Sequence, residues 1–287
     1  MTDGAKTLNV RALLKDAQNR LAAQTELTFS EPALEARLLF EHVSGYAHSW
    51  QIAHADELVE ETLQCAFESC LTARLAGKPL AFITGQQDFW SLNLEVKDCT
   101  LIPRADTETL VEAALDLPLP KNASVLDLGT GTGAIALALA KESPSWEVIG
   151  VDRVGQAVAL AKRNAVRNNL RAAFFHSHWF SALNNYKFDL IVSNPPYVEQ
   201  QSEYLHQGDL RFEPESALVS GLDGLDDIRL IIDSAHDYMN SDAYLLLEHG
   251  FEQGRAVRKL MDSKGFVQIT SKKDYNGLER VSIARKA

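Results

Sequence analysis

From residue 124 onward, short apolar runs typical of buried strands alternate with segments whose apolar residues have helical spacing. The first strand is predicted at 124–128, and a helix follows at 134–141. Such alternation predicts an α/β fold with a parallel, doubly wound sheet and helices on both faces. We expect seven strands, and the last two, at 266–270 and 280–283, should pair antiparallel because no helix lies between them.

The residues before this alternation have a different pattern. Residues 1–80 read as helices without catalytic spacing, which favours a binding or docking module, and residues 81–103 include an alternating stretch that predicts a β-hairpin. We therefore predict a small helical substrate-docking domain at 1–80, a hairpin linker at 81–103 and a catalytic domain at 104–287. The catalytic domain begins with a helix that Asp106 or Thr107 can cap.

Composition limits the class of protein. The chain has 287 residues, 46% of them apolar and 23% charged, which is typical of a globular protein with an ample core. No apolar run approaches the length of about 18 residues that a membrane span needs, and the N-terminus lacks the layout of a signal peptide. The 3 cysteines are scattered without metal-ligand spacing. We predict a cytoplasmic protein with reduced cysteines and no metal site.

The charge balance indicates the kind of partner. The formal net charge is -11 at pH 7, whereas a protein that depends on phosphate contacts usually has a basic surface. Nucleic acid is therefore disfavoured as the main partner. An acidic chain fits a small-molecule substrate, or a basic protein partner that is attracted by charge.

A glycine-rich turn, Gly129-Thr-Gly-Thr-Gly133, joins the first strand to its helix. Glycines let the backbone approach a ligand closely, and the helix N-terminus supplies N–H donors. Asp152 ends the next predicted strand, where its carboxylate can accept hydrogen bonds from both hydroxyls of a ribose. Asp127 can bind an ammonium group or hold the loop. The pattern predicts a nucleoside ligand, and NAD would use the same residues.

The strand predicted at 188–193 stops at Asn194-Pro195-Pro196-Tyr197. Two prolines make a stiff loop at the carboxyl end of a strand, where ligands bind in open α/β sheets. The Asn194 side-chain oxygen and the Pro195 carbonyl could each accept one hydrogen of a planar –NH₂ group, and the Tyr197 ring could stack on that group. A plain strand-ending turn is the alternative, because Asn and Pro are ordinary turn residues.

Taken together, the glycine turn and the Asn-Pro-Pro-Tyr loop resemble S-adenosylmethionine-dependent methyltransferases that modify planar amino or amide nitrogens. Further stretches, spread over nearly the whole chain, resemble the HemK/PrmC family of release-factor glutamine methyltransferases. They are Phe89-Trp90, Leu101-Ile-Pro-Arg-Ala-Asp-Thr-Glu108, Glu213-Pro214 with Ala217-Leu218, and Leu246-Leu-Glu-His-Gly250.

The resemblance implies methyl transfer from S-adenosylmethionine to the glutamine side-chain amide in the Gly-Gly-Gln motif of class-1 peptide-chain release factors. The product would be N5-methylglutamine. The resemblance assigns catalysis to Asn194, Pro195 and Tyr197, which form the substrate pocket together with Pro196. The implied cofactor contacts are Gly129, Thr130, Gly131, Thr132, Gly133, Asp152, Trp179 and Asn194. Neither the resemblance nor the chemistry of amide methylation requires a general base.

One departure from the family lies beside the expected adenine site. Relatives commonly carry an acidic residue just before the aromatic residue, where this chain has His178 before Trp179. A neutral histidine could accept from the adenine amino group, whereas a protonated one could not. We therefore expect cofactor affinity to weaken when His178 is protonated. The alternative is a surface histidine next to a packing tryptophan.

Several other functions fit part of the pattern. A glutamine methyltransferase that acts on a ribosomal protein is the nearest, and a DNA adenine-N6 methyltransferase is disfavoured by the acidic charge. An NAD-dependent oxidoreductase leaves the loop from Asn194 to Tyr197 unexplained, as does a binding module without catalysis. Glu248 and His249 follow a different strand, and we expect a structural role for both.

Overall fold

The computed structural model describes residues 8–24 and 31–287, and the chain divides into two compact units. The first, called the helical unit, comprises the described residues up to Gly85 together with Tyr204–Phe212. The second, called the sheet unit, comprises 86–203 and 213–287. Most of the predicted hairpin linker thus falls in the sheet unit, and Tyr204–Phe212 groups with the helices. The N-terminal stretch on which the signal-peptide prediction depends lies outside the described residues.

The helical unit is built around a core of leucine and phenylalanine side chains. Leu39, Phe40, Phe67 and Leu71 are almost completely buried, and the two phenylalanine rings pack edge to face with 6.0 Å between centroids. Amphipathic spacing of such residues explains why the helices pack together. The helices are α1 (Val10–Ala22), α2 (Pro32–Ser44), α3 (His48–Ala53), α4 (Glu61–Leu75) and α5 (Leu80–Thr84).

A buried ion pair joins two of these helices to the returning segment Tyr204–Phe212. The guanidinium of Arg74 donates to both carboxylate oxygens of Glu35, at 2.7 and 3.1 Å, and to Asp209 at 3.4 Å. The side chains of Arg74 and Glu35 are only 6% and 10% exposed. Their removal from water is compensated only while both partners are present.

The sheet unit contains a small hairpin and a seven-stranded sheet, as predicted. The hairpin strands are β1 (Gln86–Phe89) and β2 (Leu92–Glu95). The sheet strands are β3 (Ser124–Leu128), β4 (Glu147–Asp152), β5 (Ala173–His176), β6 (Phe188–Ser193), β7 (Met239–Glu248), β8 (Val267–Lys273) and β9 (Glu279–Arg285). The order of the large sheet is β5-β4-β3-β6-β7-β9-β8; neighbouring strands from β5 to β7 are parallel, and β9 is antiparallel to both of its neighbours.

Alternating side chains of β3 belong to two separate apolar cores, one on each face of the sheet. Val125 packs in one core, while Leu126 and Leu128 pack in the other. The strand order reverses at β3, and ligands bind at such a switch point, outside the carboxyl ends of the strands. The helices of this unit are α6 (Glu108–Leu115), α7 (Ala134–Glu142), α8 (Gly155–Arg167), α9 (Asp226–Ala235) and α10 (Gly254–Ser263).

The predicted side-chain cap of α6 was wrong. A 3-10 turn, Ala105–Thr107, runs directly into the helix, and no side chain caps the first turn. Asp106 instead forms an ion pair with Arg280 at 3.1 Å, and Thr107 accepts a hydrogen bond from Asn194. Both side chains therefore bind partners from distant parts of the chain instead of capping the helix. Among the described residues, no helix combines the length and apolarity needed to cross a membrane.

Candidate active site

A pocket with an empty volume of ≈ 920 Å³ opens at the carboxyl ends of β3, β4 and β6. Eight of the predicted site residues line it: Gly129, Thr130, Gly131, Thr132, Asp152, Trp179, Asn194 and Pro196. Gly133, Pro195 and Tyr197 lie next to these residues in sequence and do not themselves line the pocket.

The glycine turn has two different roles at two of its positions. Gly131 has φ +54, and a Cβ there would meet nothing closer than 3.9 Å, so its backbone is open to the pocket that it lines. Gly133 has φ +84, and a Cβ would lie 3.1 Å from the Cβ of Ala161. Gly133 therefore serves helix packing, whereas Gly131 leaves room for a ligand.

Asp152 fixes the turn from the end of β4. Its Oδ2 accepts from the Gly131 N–H at 2.9 Å, and its Oδ1 accepts from the Val154 N–H at 2.8 Å. Burial raises the pKa of this carboxyl, and the two backbone donors oppose that effect. An ionised carboxylate has about four acceptor positions, so two remain for the hydroxyl groups of a ligand.

Asp127, in β3, holds the glycine turn through two hydrogen bonds. Its Oδ2 accepts from the Thr130 hydroxyl at 2.6 Å and from the Ala136 N–H at 3.2 Å. The side chain is completely buried, and this burial raises its pKa to about 7. Asp127 was predicted either to bind an ammonium group or to hold the loop, and its contacts in the structure are those of a residue that holds the loop.

Trp179 forms one wall of the pocket. Its backbone has φ +47, and the Ser177 hydroxyl stabilises the turn by donating to the Trp179 carbonyl at 2.7 Å. The indole ring lies over Gly129, where a Cβ would come within 3.4 Å of it. His178 is exposed and also lines the pocket.

The Asn-Pro-Pro-Tyr loop is held at both ends. The Asn194 side chain donates through Nδ2 to the Thr107 hydroxyl at 3.1 Å. The Tyr197 hydroxyl donates to Oε1 of Glu248 at 3.4 Å, and the Tyr197 carbonyl accepts from the Gln253 side chain at 3.0 Å. The donor end of the Asn194 carboxamide is thereby occupied, and its oxygen is the end available to a ligand.

Glu248 lies at the centre of the contacts beneath this loop. It is the last residue of β7 and only 1% exposed, and burial raises its pKa to about 7. The neighbouring Thr107 side chain and the positive charge of Arg280 oppose that rise. Burial and the Glu248 charge also raise the pKa of Tyr197, so its hydroxyl remains a donor.

Thr107 and Arg104 are further site residues, for which no sequence pattern predicts a contact. Both line the pocket, and Arg104 donates to the buried carboxylate of Glu213 at 2.5 Å. They belong to a stretch that resembles the family, but this stretch carries no spacing that indicates a contact with β6 or β7. Glu248 is also a residue of the site. Its position at the end of a strand next to β6 is the one sequence signal that could have indicated this.

Comparison with known proteins gives consistent results for both units. The model of the Methyltransferase small domain matches residues 106–217, and that of the PrmC N-terminal domain matches residues 12–85. The release factor glutamine methyltransferase of Pseudomonas aeruginosa is 48% identical over 255 residues, which cover 88% of this chain and 92% of that protein. The protein of the same name from Escherichia coli is 46% identical over 266 residues, 92% of this chain and 96% of that protein.

A solved structure supports the fold. A methyltransferase from Pyrococcus furiosus superposes with a TM-score of 0.54 at 18% identity, covering 77% of this chain and 99% of that chain. At this level of identity the likeness concerns the arrangement of strands and helices. It confirms the predicted α/β class with a methyltransferase sheet.

Proposed function

The chain belongs to the family of release factor glutamine methyltransferases, and from that premise we propose the target and chemistry of its reaction. It transfers a methyl group from S-adenosylmethionine to the glutamine side-chain amide in the Gly-Gly-Gln motif of class-1 peptide-chain release factors, giving N5-methylglutamine. One observation carries this proposal: the oxygen end of the Asn194 carboxamide is left free beside the glycine turn, because Thr107 occupies the amino end.

The residues of the pocket fit S-adenosylmethionine, which supplies an electrophilic methyl group on a positively charged sulfur. Asp152 keeps free acceptor positions for the ribose hydroxyls after binding Gly131 and Val154. The indole of Trp179 offers a flat apolar wall for the adenine. Gly131 would present backbone without a side chain to the remainder of the cofactor.

The chemistry required of the protein is positioning. An amide nitrogen is a poor nucleophile because its lone pair is delocalised into the carbonyl group. If Asn194 Oδ1 and the Pro195 carbonyl accept its two hydrogens, electron density shifts toward nitrogen and the direction of attack is fixed. The methylated amide is strongly acidic before it loses its proton, so release to solvent or to a loop carbonyl suffices. We assign no general base.

The partner follows from the same premise. A chain of net charge -11 attracts a basic protein surface, and the helical unit, which matches the PrmC N-terminal domain, would dock it. Action on a release factor places the enzyme in the cytoplasm, where translation occurs. Direct contact with nucleic acid is not part of the proposal.

Transfer of labelled methyl from S-adenosylmethionine to a purified release factor tests the proposal. The matched substrate carries Gln→Ala in its Gly-Gly-Gln motif, and the matched enzyme is the Asn194→Ala variant. We expect label on the wild-type factor only, and at least about a hundredfold less with Asn194→Ala. Label on neither factor, with transfer to a ribosomal protein or to DNA instead, would keep the cofactor and overturn the substrate.

A further inference from the structure

We propose that Gln253 is a positioning residue that holds the carboxyl end of the Asn-Pro-Pro-Tyr loop by binding the backbone carbonyl of Tyr197. This inference rests on the proposed function, since this loop would carry the acceptors for the substrate amide. Gln253 is not among the residues that line the pocket, and it would touch neither the substrate nor the transferred methyl group. It would act through the backbone of Tyr197 and the two prolines before it.

The side-chain carboxamide of Gln253 binds three separate loop segments of the sheet unit. Its Nε2 donates to the Tyr197 carbonyl at 3.0 Å and to the Asp223 carbonyl at 3.2 Å. Its Oε1 accepts from the Gly250 N–H at 2.9 Å. One side chain therefore joins the loop after β6 to the segments that precede α9 and α10.

The orientation of this carboxamide is fixed by the kind of partner at each end. A backbone N–H can only donate, so the group that faces Gly250 must be the oxygen. The two backbone carbonyls can only accept, so the group that faces them must be the amino group. The backbone of Gln253 is also held, because its N–H donates to the Gly250 carbonyl at 2.9 Å and its carbonyl accepts from the Val257 N–H at 3.0 Å. Gln253 is therefore preorganised to bind Tyr197.

Gly224 shows how closely the chain packs around the Tyr197 carbonyl. Its φ is +70, and a Cβ at this position would overlap the Tyr197 carbonyl oxygen and lie 2.7 Å from Gln253 Nε2. Glycine leaves the room that the backbone needs here. The segment before α9 therefore packs directly against this hydrogen bond and restricts the movement of both groups.

The position of Tyr197 matters for the reaction because the loop is stiff. Pro195 and Pro196 have a fixed φ and no N–H, so backbone donors cannot hold the loop at these two positions. Asn194 and Pro195 each precede a proline, which restricts both to extended conformations. A displacement of Tyr197 is therefore passed on to the Pro195 carbonyl, the second acceptor proposed for the substrate amide, because the loop cannot absorb it.

Steady-state kinetics with paired substitutions test the inference. Gln253→Glu keeps the size of the side chain but turns an oxygen, instead of the amino group, toward the two carbonyls. Asn168→Asp is the matched control, because Asn168 also donates through Nδ2 to two carbonyls, those of Asn93 and Asn164, and accepts from the Asn93 N–H. We expect Gln253→Glu to lower kcat by about 10- to 100-fold with the Kd for S-adenosylmethionine within about threefold of the wild type, and Asn168→Asp to keep kcat within about threefold. Near wild-type kcat in Gln253→Glu, or equal losses in both variants, contradicts the inference.

A second variant, Gln253→Met, separates positioning from the effect of an added charge. It keeps the length of the side chain and removes its donor and its acceptor without placing a carboxylate near the carbonyls. Urea unfolding establishes that each variant is folded under the conditions of the assay. We expect Gln253→Met to lower kcat as Gln253→Glu does. If Gln253→Met kept the wild-type kcat, the loss in Gln253→Glu would come from the introduced charge, and the inference would be wrong.

A nuclear magnetic resonance measurement keeps this inference separate from the substrate assignment. Tyr197-Val198 is the only Tyr-Val pair in the sequence, so ¹³C in tyrosine carbonyls and ¹⁵N in valine give one signal that joins the Tyr197 carbonyl to the Val198 N–H. The carbonyl shift reports on the hydrogen bond from Gln253 without any turnover. We expect the signal to move in Gln253→Met and to stay in place in Asn168→Asp. If the wild-type enzyme failed to methylate a release factor, the proposed target would be wrong, and this signal would still test the contact. An unchanged signal in Gln253→Met would overturn the inference.

Discussion

Gly131 donates its backbone N–H to Oδ2 of Asp152 at 2.9 Å, so the first strand-to-helix turn is tied to the end of the neighbouring strand. The turn and the carboxylate therefore form one preorganised half of the pocket. Residues 21 positions apart in the chain meet there because β3 and β4 are parallel neighbours that end at the same edge.

Asp152→Asn should weaken S-adenosylmethionine binding by about 10- to 100-fold, because one acceptor oxygen becomes a donor and the charge is lost. Isothermal titration calorimetry measures this directly. Asp189→Asn is the matched control, since Asp189 also accepts from a backbone N–H, that of Ser124, but near the opposite end of β3. Equal losses in both variants would contradict a specific role for Asp152.

Gly133→Ala should lower the free energy of unfolding by about 1–3 kcal/mol. The new Cβ would lie 3.1 Å from that of Ala161, and φ +84 is strained for alanine. Gly155→Ala is the matched control, because Gly155 begins α8 and a Cβ there meets nothing within 4 Å. Urea denaturation of both variants should show a loss for Gly133→Ala, and no loss or a small gain for Gly155→Ala.

The pH dependence of cofactor binding tests the prediction for His178. This exposed residue lines the pocket next to Trp179. If its neutral ring accepts from adenine, the affinity for S-adenosylmethionine should fall as the pH is lowered from 8 to 5.5. His178→Glu should remove most of that fall. An affinity that stays flat over this range in the wild type would leave His178 as a surface residue.

Strand β6 could be predicted from the sequence, whereas the contact of Thr107 with Asn194 could not. The bounds of β6 were predicted residue by residue, because an apolar run that ends at two prolines is a local signal. The glycine turn and Asp152 are predicted to form one site because together they fit the pattern of a nucleoside-binding fold. Thr107 was interpreted as a helix cap, since its contact with Asn194 spans 87 positions and no local pattern indicates it.

Burial of Glu248 is a second case of this kind. A glutamate at the end of a predicted strand gives the same sequence pattern whether its carboxylate faces water or is buried beneath a loop. Its environment is set by residues of the 3-10 turn before α6, the loop after β6 and strand β9, so only the structure reveals its raised pKa. Short elements were also missed: α3 and α5 have 6 and 5 residues, too few for a helical period to be recognised.

Arg74→Met should destabilise the helical unit by about 3–5 kcal/mol, because Glu35 would remain buried without its partner. The double variant Arg74→Met with Glu35→Leu should recover much of that loss, since no buried unpaired charge is left; Asp209, which also loses Arg74, is 36% exposed. Urea unfolding, followed by the fluorescence of Trp50 in α3, measures both. A double variant less stable than Arg74→Met alone would show that the ion pair is not the source of the effect.

The stability of the sheet unit should depend on pH through Glu248. Its pKa is about 7 in the folded protein, against an ordinary 4.5, so folding favours the protonated form. The stability that this group contributes is present below about pH 4.5 and is lost as the pH rises through about 7, a change of about 3 kcal/mol. Glu248→Gln removes this group while leaving in place the other two carboxyls whose pKa is raised by burial, Asp127 and Asp152.

We therefore expect Glu248→Gln to gain stability relative to the wild type as the pH is raised from 5 to 8. Glutamine is close in shape to the protonated acid, so the two proteins should be most alike at pH 5. Urea unfolding at several pH values measures the difference, and Asp189→Asn serves as a control near the other end of the sheet. A constant difference between wild type and Glu248→Gln across this range would mean that Glu248 is ionised in the fold at pH 5. Stabilisation by Arg280 and the neighbouring Thr107 and Tyr197 side chains would then outweigh the cost of burial.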